Sequence, residues 1–227
     1  HWHSDIEKQK MLLRFYMPLQ KWLLKRADVI IGTTPAYLSA SPYLKEVQGK
    51  SYCLPIGVEP ITPSEEQVAA VRSAYPGKKI VFSLGRLVAY KGFDYLVEAA
   101  RYLSDDYVVL IGGAGPLEQE LNSHIQAWAL ENKVKLLGRI SDEEVMSHYG
   151  ACSVFCLSSV FKTEAFGIVQ IEAMSYSRPV IATTIPGSGT HWVNAHKESG
   201  LNVEPRNAQE LAQAVIEITK DKQTYEA

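Results

Sequence analysis

Long apolar runs are missing from this chain of 227 residues. No stretch approaches the roughly 20 consecutive apolar residues that a membrane-spanning helix needs. The first residues, His1 to Asp5, also lack the basic region and apolar core of a secretory signal peptide. The sequence therefore predicts neither a membrane-spanning helix nor a signal peptide.

An excess of charge of one sign is also missing. The chain has 23 Lys and Arg against 25 Asp and Glu, which gives a formal net charge of −2. Proteins that bind nucleic acid through its phosphates concentrate Lys and Arg. We therefore expect no nucleic-acid partner.

Cysteine is scarce, with only Cys53, Cys152 and Cys156 in the chain. Their number is odd and their spacing is not that of metal ligands. Cys152 and Cys156 fall in an apolar segment that we predict to be a strand, so we expect both to be buried as free thiols. Free thiols are typical of a reducing compartment, and we expect a cytoplasmic protein.

Short apolar strands alternate with helices of about 10–15 residues in most of the chain. This alternation predicts an α/β fold with a Rossmann-like, doubly wound parallel sheet. The last helix is predicted over 208–219, and earlier ones begin near Gly92, Pro116, Asp142 and Phe166. The predicted strands are 80–84, 107–111, 134–137, 154–157 and 180–182.

The first 60 residues have a different organisation. A helix is predicted over 5–26, then a strand at 29–33, a short helix from Pro35 and a strand at 52–54. Pro55 to Pro60 contains two prolines and a glycine, which is typical of a linker. We therefore predict two parts, residues 1–60 and 61–227. Because no Met begins the chain and no strand precedes its first helix, we expect a piece of a larger protein.

Two acidic residues eight positions apart, Glu164 and Glu172, surround a Phe-Gly step. Glu164 precedes the helix predicted from Phe166, and Glu172 lies within it. The helical rise over eight residues is roughly 12 Å, whereas paired glycosidase acids lie about 5–9.5 Å apart. The two acids are therefore expected to hold two ends of one long ligand, with phosphate at the helix N-terminus between them. Either residue alone is better explained as an ordinary loop or rim carboxylate.

Glycine and basic residues follow three predicted strands. Gly85 and Arg86 come after the first, with Lys91 close behind, and Arg and Lys in such a loop suit a diphosphate. A solvated basic loop is the alternative. Glycines in the second loop, Gly112 to Pro116, would let the backbone approach a ligand. A tight turn with Pro116 at the first position of a helix explains most of this loop. The third, Gly138 to Ile140, precedes a capping box formed by Ser141 and Glu144.

Taken together, these residues resemble the family 4 retaining glycosyltransferases, which have the two-domain GT-B architecture. The resemblance covers the chain from Pro55 onward. It implies that 61–227 is the C-terminal donor-binding domain and that 1–60 is a remnant of the N-terminal acceptor domain. The matching residues are Gly85-Arg86, Lys91-Gly92, Gly113-x-Gly115-Pro116, Leu137-Gly138, Glu164-x-Phe166-Gly167-x4-Glu172-Ala173-Met174 and Gly200 to Pro205.

The resemblance also implies a role for each matching residue. Arg86 and Lys91 would neutralise the diphosphate, Glu164 would contact the sugar near its reacting carbon, and Glu172 would bind the ribose. The expected catalytic residues are thus Glu164, Arg86 and Lys91. The other expected donor-binding residues are Gly85, Gly115, Arg139, Ile140, Phe166, Gly167, Ile168 and Glu172.

The implied reaction is transfer with retention of configuration, and no metal site or cofactor beyond the nucleoside-diphosphate sugar is expected. No Asp-x-Asp metal motif is present in the sequence. His191 stands near the position where the family often has an acid, and this variant resembles a bacterial subgroup that builds lipopolysaccharide and other surface polysaccharides. The resemblance to this subgroup favours GDP-mannose as the donor and implies a glycan or lipid-linked acceptor. A part in the reaction for His1, His3 or His191 stays open.

Two alternatives remain at this point. A non-catalytic sugar-nucleotide-binding module and a nucleotide-sugar epimerase share the same architecture. The basic first helix either packs against the missing domain or makes peripheral contact with the inner face of the cell membrane.

Overall fold

The computed structural model describes residues 1–2, 5, 10–59 and 62–220. Its first elements form a small unit with its own core. Strands β1 (Ile30–Gly32) and β2 (Ser51–Cys53) pair in parallel, and Trp2 forms a bridge to Gly32. Helices α1 (Lys10–Arg26) and α2 (Pro35–Ala40) and a 3₁₀ turn (Lys45–Lys50) complete this N-terminal unit. Its core consists of Leu24, Ile30, Leu38, Leu44 and Val47.

A six-stranded parallel sheet forms the rest of the described chain. The strand order is β5-β4-β3-β6-β7-β8, so the chain builds outward from β3 in one direction and then from β6 in the other. This is the doubly wound order of Rossmann folds, and the α/β prediction is confirmed. The strands are β3 (Lys79–Leu84), β4 (Tyr107–Gly112), β5 (Val134–Gly138), β6 (Val154–Leu157), β7 (Val180–Thr183) and β8 (Gly200–Val203).

Helices cover both faces of this sheet. Leu96, Leu121 and Leu211 bring α4, α5 and α9 onto one face, while Tyr149 and Ala173 bring α6 and α7 onto the other. Both faces of the strands are therefore buried, which explains why the strands are almost continuously apolar. The helices are α3 (Glu65–Ala74), α4 (Phe93–Ala99), α5 (Glu118–Ala127), α6 (Asp142–Ala151), α7 (Ile168–Ser175), α8 (Thr190–Val193) and α9 (Ala208–Lys220), with 3₁₀ turns at Ala89–Lys91 and Ala100–Tyr102.

Three helix starts and one cysteine differ from the sequence predictions. Asp5, the predicted start of the first helix, is not helical, and residues 6–9 lie outside the described residues. Helix α7 begins at Ile168 rather than near Phe166, because Gly167 adopts φ 75° and ends the preceding loop. Helix α5 begins at Glu118, so Pro116 lies in the loop before it and does not open the helix. Cys152 follows α6 and precedes β6, so it is not in a strand.

Both thiols behave as expected in other respects. Cys152 and Cys156 are buried, and burial raises the pKa of each thiol to about 12. The predicted capping box is confirmed, since Ser141 accepts from the Glu144 amide and the Glu144 carboxylate accepts from the Ser141 amide.

Three elements were not predicted. Helix α3 has only the half-buried Val68 and Val71 against the sheet domain, too few apolar positions for a clear helical period. Strand β8 begins with Gly200 and contains Asn202, so it lacks the continuous apolar run of β6 and β7, and helix α8 has only four residues. The division of the chain at residues 60 and 61 stays a prediction, because both lie outside the described residues.

No helix in the described part of the chain combines the length and apolar character needed to cross a bilayer. Helix α1 nevertheless exposes large apolar side chains, among them Phe15, Leu19 and Trp22.

Candidate active site

The candidate site lies where the sheet changes direction, at the carboxyl ends of β3 and β6. These strands are neighbours in the sheet, and the chain leaves them toward opposite sides. Loops in such a position diverge and leave a crevice, which is the usual ligand site of open α/β sheets. Gly85 follows β3, and Ser158 follows β6.

Hydrogen bonds join the glycine loops along this edge. The Gly85 amide donates to the Gly112 carbonyl at 3.0 Å, and the Gly113 amide donates to the Gly138 carbonyl at 2.7 Å. Gly113 has φ 126°, and a Cβ atom there would lie 2.0 Å from the Gly85 carbonyl oxygen. Glycine is therefore required at position 113 for close contact between the loops.

A buried ion pair connects the β3 loop to the β6 loop. Lys91 Nζ donates to Glu164 Oε2 at 2.6 Å, and each side chain is only 11% exposed. The loops are also joined by the Val160 amide, which donates to the Tyr90 carbonyl at 2.8 Å. Breaking one partner of such a pair leaves an uncompensated buried charge, which typically costs about 3–5 kcal/mol.

Two serines hold Glu164 in place. Ser159 Oγ donates to Glu164 Oε2 at 2.8 Å, and Ser188 Oγ donates to the Glu164 backbone carbonyl. The side chains of Lys91 and Ser159 thus both donate to Glu164 Oε2. Within the described residues, Oε1 stays available to accept from a ligand hydroxyl. The carboxylate is fixed in position while one of its oxygens can bind.

The N-terminus of α7 lies beside this pair. Gly167 caps the helix without a side-chain hydrogen bond, and the first-turn amides of a helix have no intrahelical acceptor. Gln170 braces the loop by donating from Nε2 to the Phe166 carbonyl at 2.9 Å. The arrangement offers N–H groups and a positive helix end, which suit an anion.

The Lys91–Glu164 pair and the start of α7 line a cavity of about 290 Å³, which we name the Lys91 cavity. Part of its wall comes from the N-terminal unit and the linker, through Thr33 and Ile56. The remaining lining residues are Lys91, Glu164, Ala165, Phe166, Gly167, Ile168 and Val169.

Glu172 lines a second cavity of about 430 Å³, the Tyr149 cavity. Tyr149 donates its hydroxyl to Glu172 Oε2 at 2.8 Å. Burial, and then the charge of Glu172, raises the pKa of Tyr149, so the phenol stays protonated and remains a donor. The other lining residues are Val58, Glu59, Leu84, Asp142, Val145, Met146, Ser175 and Tyr176.

The structure brings some of the predicted site residues into one cavity and places others outside it. Lys91, Glu164, Phe166, Gly167 and Ile168 share the Lys91 cavity, while Glu172 lines its neighbour on the same helix α7. Gly85 adjoins this group, since a Cβ atom on it would lie 3.2 Å from Lys91 Cε. Among the described residues, the linings of the two cavities do not include Arg86, Gly115, Arg139 or Ile140.

Those four residues nevertheless lie on the same edge of the sheet. Arg86 and Arg139 are exposed in the loops after β3 and β5. Gly115 packs against the backbone of Leu87, and Ile140 packs beside Gly112. Their predicted roles in donor binding stay predictions.

Some lining residues were missed by the sequence analysis. Thr33 was seen only as the end of a predicted strand, and Ile56 and Glu59 only as parts of a linker. Tyr149 lies on α6 and carries no motif that distinguishes it from an ordinary core tyrosine. The pair Ser158-Ser159 beside Glu164 was the one available signal for the residues that hold this acid.

The three histidines whose part in the reaction the sequence leaves open lie in different places. His191 lies half-buried on α8, and its Nδ1 has no hydrogen-bond partner among the described residues. His1 is exposed, and His3 lies outside the described residues. The described residues contain no group of three His, Cys, Asp or Glu side chains that could hold a metal ion.

The strand order, the crevice and the two cavities define a Rossmann-like domain with a candidate ligand site at its switch point. Residues 64–227 match the family model of glycosyl transferases group 1. The chain therefore belongs to the group 1 glycosyltransferase family.

Curated relatives agree with this assignment. The chain is 35% identical over 225 residues to O-antigen chain mannosyltransferase C of Escherichia coli, covering 98% of this chain and 59% of the relative. It is 33% identical over 217 residues to D-rhamnosyltransferase WbpZ of Pseudomonas aeruginosa, covering 94% and 56%. The chain thus spans less than two thirds of the length of these relatives.

Solved structures of GT-B glycosyltransferases share the fold. HepE of Anabaena, solved with UDP and glucose, matches 99% of this chain and 62% of its own with a TM-score of 0.82 at 22% identity. Sucrose-phosphate synthase from Thermosynechococcus elongatus matches 98% of this chain and 56% of its own with a TM-score of 0.79 at 26% identity.

Proposed function

We propose that this chain is the donor-binding part of a retaining, metal-independent hexosyltransferase. The donor is a nucleoside-diphosphate sugar, with GDP-mannose as the first candidate, and the acceptor is a glycan or lipid-linked glycan of a surface polysaccharide. The reaction takes place in the cytoplasm, and the protein makes peripheral contact with the inner face of the cell membrane. The names of the two curated relatives, a mannosyltransferase and a rhamnosyltransferase, support this choice of chemistry.

The Lys91–Glu164 pair beside the N-terminus of α7 is the observation that carries the proposal. Negative charge grows on the diphosphate as it leaves the sugar. Lys91, Arg86 and the amides of Gly167 and Ile168 stabilise that charge more in the transition state than in the ground state. These fixed cations and dipoles take the place that a divalent ion has in metal-dependent transferases.

The carboxylates bind the hydroxyl-bearing ends of the donor. Glu164 Oε1 accepts from a hydroxyl of the transferred sugar, in the position fixed by Ser159 and Lys91. Glu172, held by Tyr149, accepts from the ribose in the neighbouring cavity. The diphosphate then lies along the first turn of α7, between the two acids.

The test is a donor-consumption assay with the whole protein. GDP-mannose is supplied with and without a lipid-linked glycan acceptor, and the released GDP and the sugar product are measured. We expect GDP release that depends on the acceptor, a product of retained configuration and no loss of rate with EDTA.

Two results would contradict the proposal. Conversion of the sugar without acceptor would indicate an epimerase, and tight donor binding without release of GDP would indicate a binding module. The UDP and ADP sugars are run beside GDP-mannose, so that a different base preference is recognised.

A further inference from the structure

A buried threonine of the N-terminal unit has a hydroxyl that the fold does not use. Thr33 follows β1 directly and is 1% exposed. Its Oγ1 atom is buried and has no hydrogen-bond partner among the described residues. A buried hydroxyl without a partner is destabilising, so it calls for a bonding group from outside the fold.

Two neighbouring polar groups have partners within the fold. The Thr34 hydroxyl caps α2 by accepting from the Tyr37 amide at 3.1 Å. The Thr33 carbonyl accepts from Cys53 Sγ at 3.7 Å. The Thr33 hydroxyl, in contrast, has no hydrogen-bond partner among the described residues.

Thr33 belongs to the wall of the candidate site. It lines the Lys91 cavity with Glu164 and with the loop from Ala165 to Val169. Lys91 and Glu164 come from the loops after β3 and β6, whereas Thr33 comes from the N-terminal unit. A ligand in this cavity is thus contacted from both units.

We propose that the Thr33 hydroxyl hydrogen-bonds a hydroxyl of the sugar that Glu164 holds. Thr33 is then a sugar-binding residue supplied by the N-terminal unit. The inference rests on the proposed function, since it needs a donor sugar in the Lys91 cavity. A threonine hydroxyl both donates and accepts, which suits a polyol ring next to a carboxylate that only accepts.

The test compares nucleotides with and without their sugar. The 227-residue chain is titrated calorimetrically with GDP-mannose and GDP, and with UDP-glucose and UDP. Thr33→Val keeps the shape of the side chain and removes the hydroxyl. Whichever sugar nucleotide binds the wild-type chain is expected to bind Thr33→Val about tenfold more weakly. The matching nucleoside diphosphate, which lacks the sugar, should bind the two chains equally. Thr33→Ser is expected to restore most of the affinity.

Thr163→Val is the matched control. Thr163 also has a buried Oγ1 without a partner among the described residues, but it is not part of the Lys91 cavity lining. Removal of the Thr163 hydroxyl should change neither the affinity for the sugar nucleotide nor that for the nucleoside diphosphate. Thermal unfolding of Thr33→Val should show no loss of stability, since no hydrogen bond of the fold is removed.

Two outcomes separate this inference from the proposed function. Equal affinity of Thr33→Val and wild type for the sugar nucleotide would overturn the role of Thr33 and leave the donor site intact. Failure of the wild-type chain to bind any of the four nucleotides would overturn the donor site itself, and the inference with it.

Discussion

At the scale of single residues, the candidate site depends on side chains that hold other side chains. Ser159 and Lys91 share one oxygen of Glu164, and Tyr149 holds one oxygen of Glu172. The acids themselves stand out in the sequence because of their spacing around a Phe-Gly step. The residues that hold them do not, because a buried Tyr or Ser looks the same in sequence whether it serves the core or a site.

Tyr149→Phe tests whether this tyrosine positions Glu172. The ring still packs against Phe82 and Tyr176, so the fold should be retained. Loss of the hydroxyl removes one charge-assisted hydrogen bond from Glu172, and we expect GDP to bind about tenfold more weakly. The preference for GDP over its 2′,3′-dideoxy form should shrink, which calorimetry measures.

Tyr107→Phe is the control for that variant. Tyr107 also makes a buried hydroxyl bond, to Thr219 at 2.7 Å, but it lies at the amino end of β4, away from the candidate site. If Tyr149→Phe bound GDP and the dideoxy analogue as wild type does, Tyr149 would have only a structural role.

At the scale of elements, the sequence predicted the strands and helices that have a clear apolar pattern. Strands β3 to β7 and helices α4, α6 and α9 were predicted to within one residue at their predicted ends, because short, continuously apolar strands that alternate with helices leave a clear signal. Helix α3 has few apolar residues, α8 has only four residues, and β8 is interrupted by Asn202, so none of the three leaves such a signal. The start of α7 was missed by two residues because it depends on the backbone angle of Gly167.

Gly167→Ala tests how much the start of α7 depends on this glycine. Its φ of 75° disfavours any side chain, and a Cβ atom would lie 2.7 Å from both Gln170 Nε2 and Leu157 Cδ2. We expect a loss of about 2–4 kcal/mol in the free energy of unfolding, measured with urea, and weaker GDP binding because the first-turn amides move.

Gly77→Ala separates backbone strain from crowding. Gly77 has φ 71° with nothing within 4 Å of its Cβ position. It should lose only the strain, about 1–2 kcal/mol. Equal losses for the two variants would show that Leu157 and Gln170 adapt to the added methyl group.

At the scale of the whole molecule, the Lys91 cavity draws its walls from the six-stranded domain, the linker and the N-terminal unit. The sequence predicts the parallel sheet and the edge that holds the site, since ligand loops follow the carboxyl ends of parallel strands. It could not predict the contribution of Thr33 or Ile56. Contacts between distant parts of a chain are set by how the units pack, which no local pattern records.

The exposed face of α1 belongs to the same scale. Phe15 is 83% exposed, and Leu19 and Trp22 are each more than half exposed. Packing against a further part of the protein and contact with a membrane surface both stay predictions for this face.

The central claim is that Lys91 and Glu164 form the site of the donor diphosphate and its sugar. Calorimetric titration of GDP-mannose and GDP into wild type and Lys91→Met/Glu164→Gln tests it most directly. Both charges are replaced together, so neither is left buried without its partner. Lys133→Met is the control, since Lys133 pairs with Asp105 at 3.2 Å beside the amino end of β5.

We predict that the double variant binds both ligands about ten- to a hundredfold more weakly, as expected for the loss of charge-assisted contacts to phosphate. Lys133→Met should bind both as wild type does. Unchanged affinity of a folded Lys91→Met/Glu164→Gln for GDP and GDP-mannose would contradict the account.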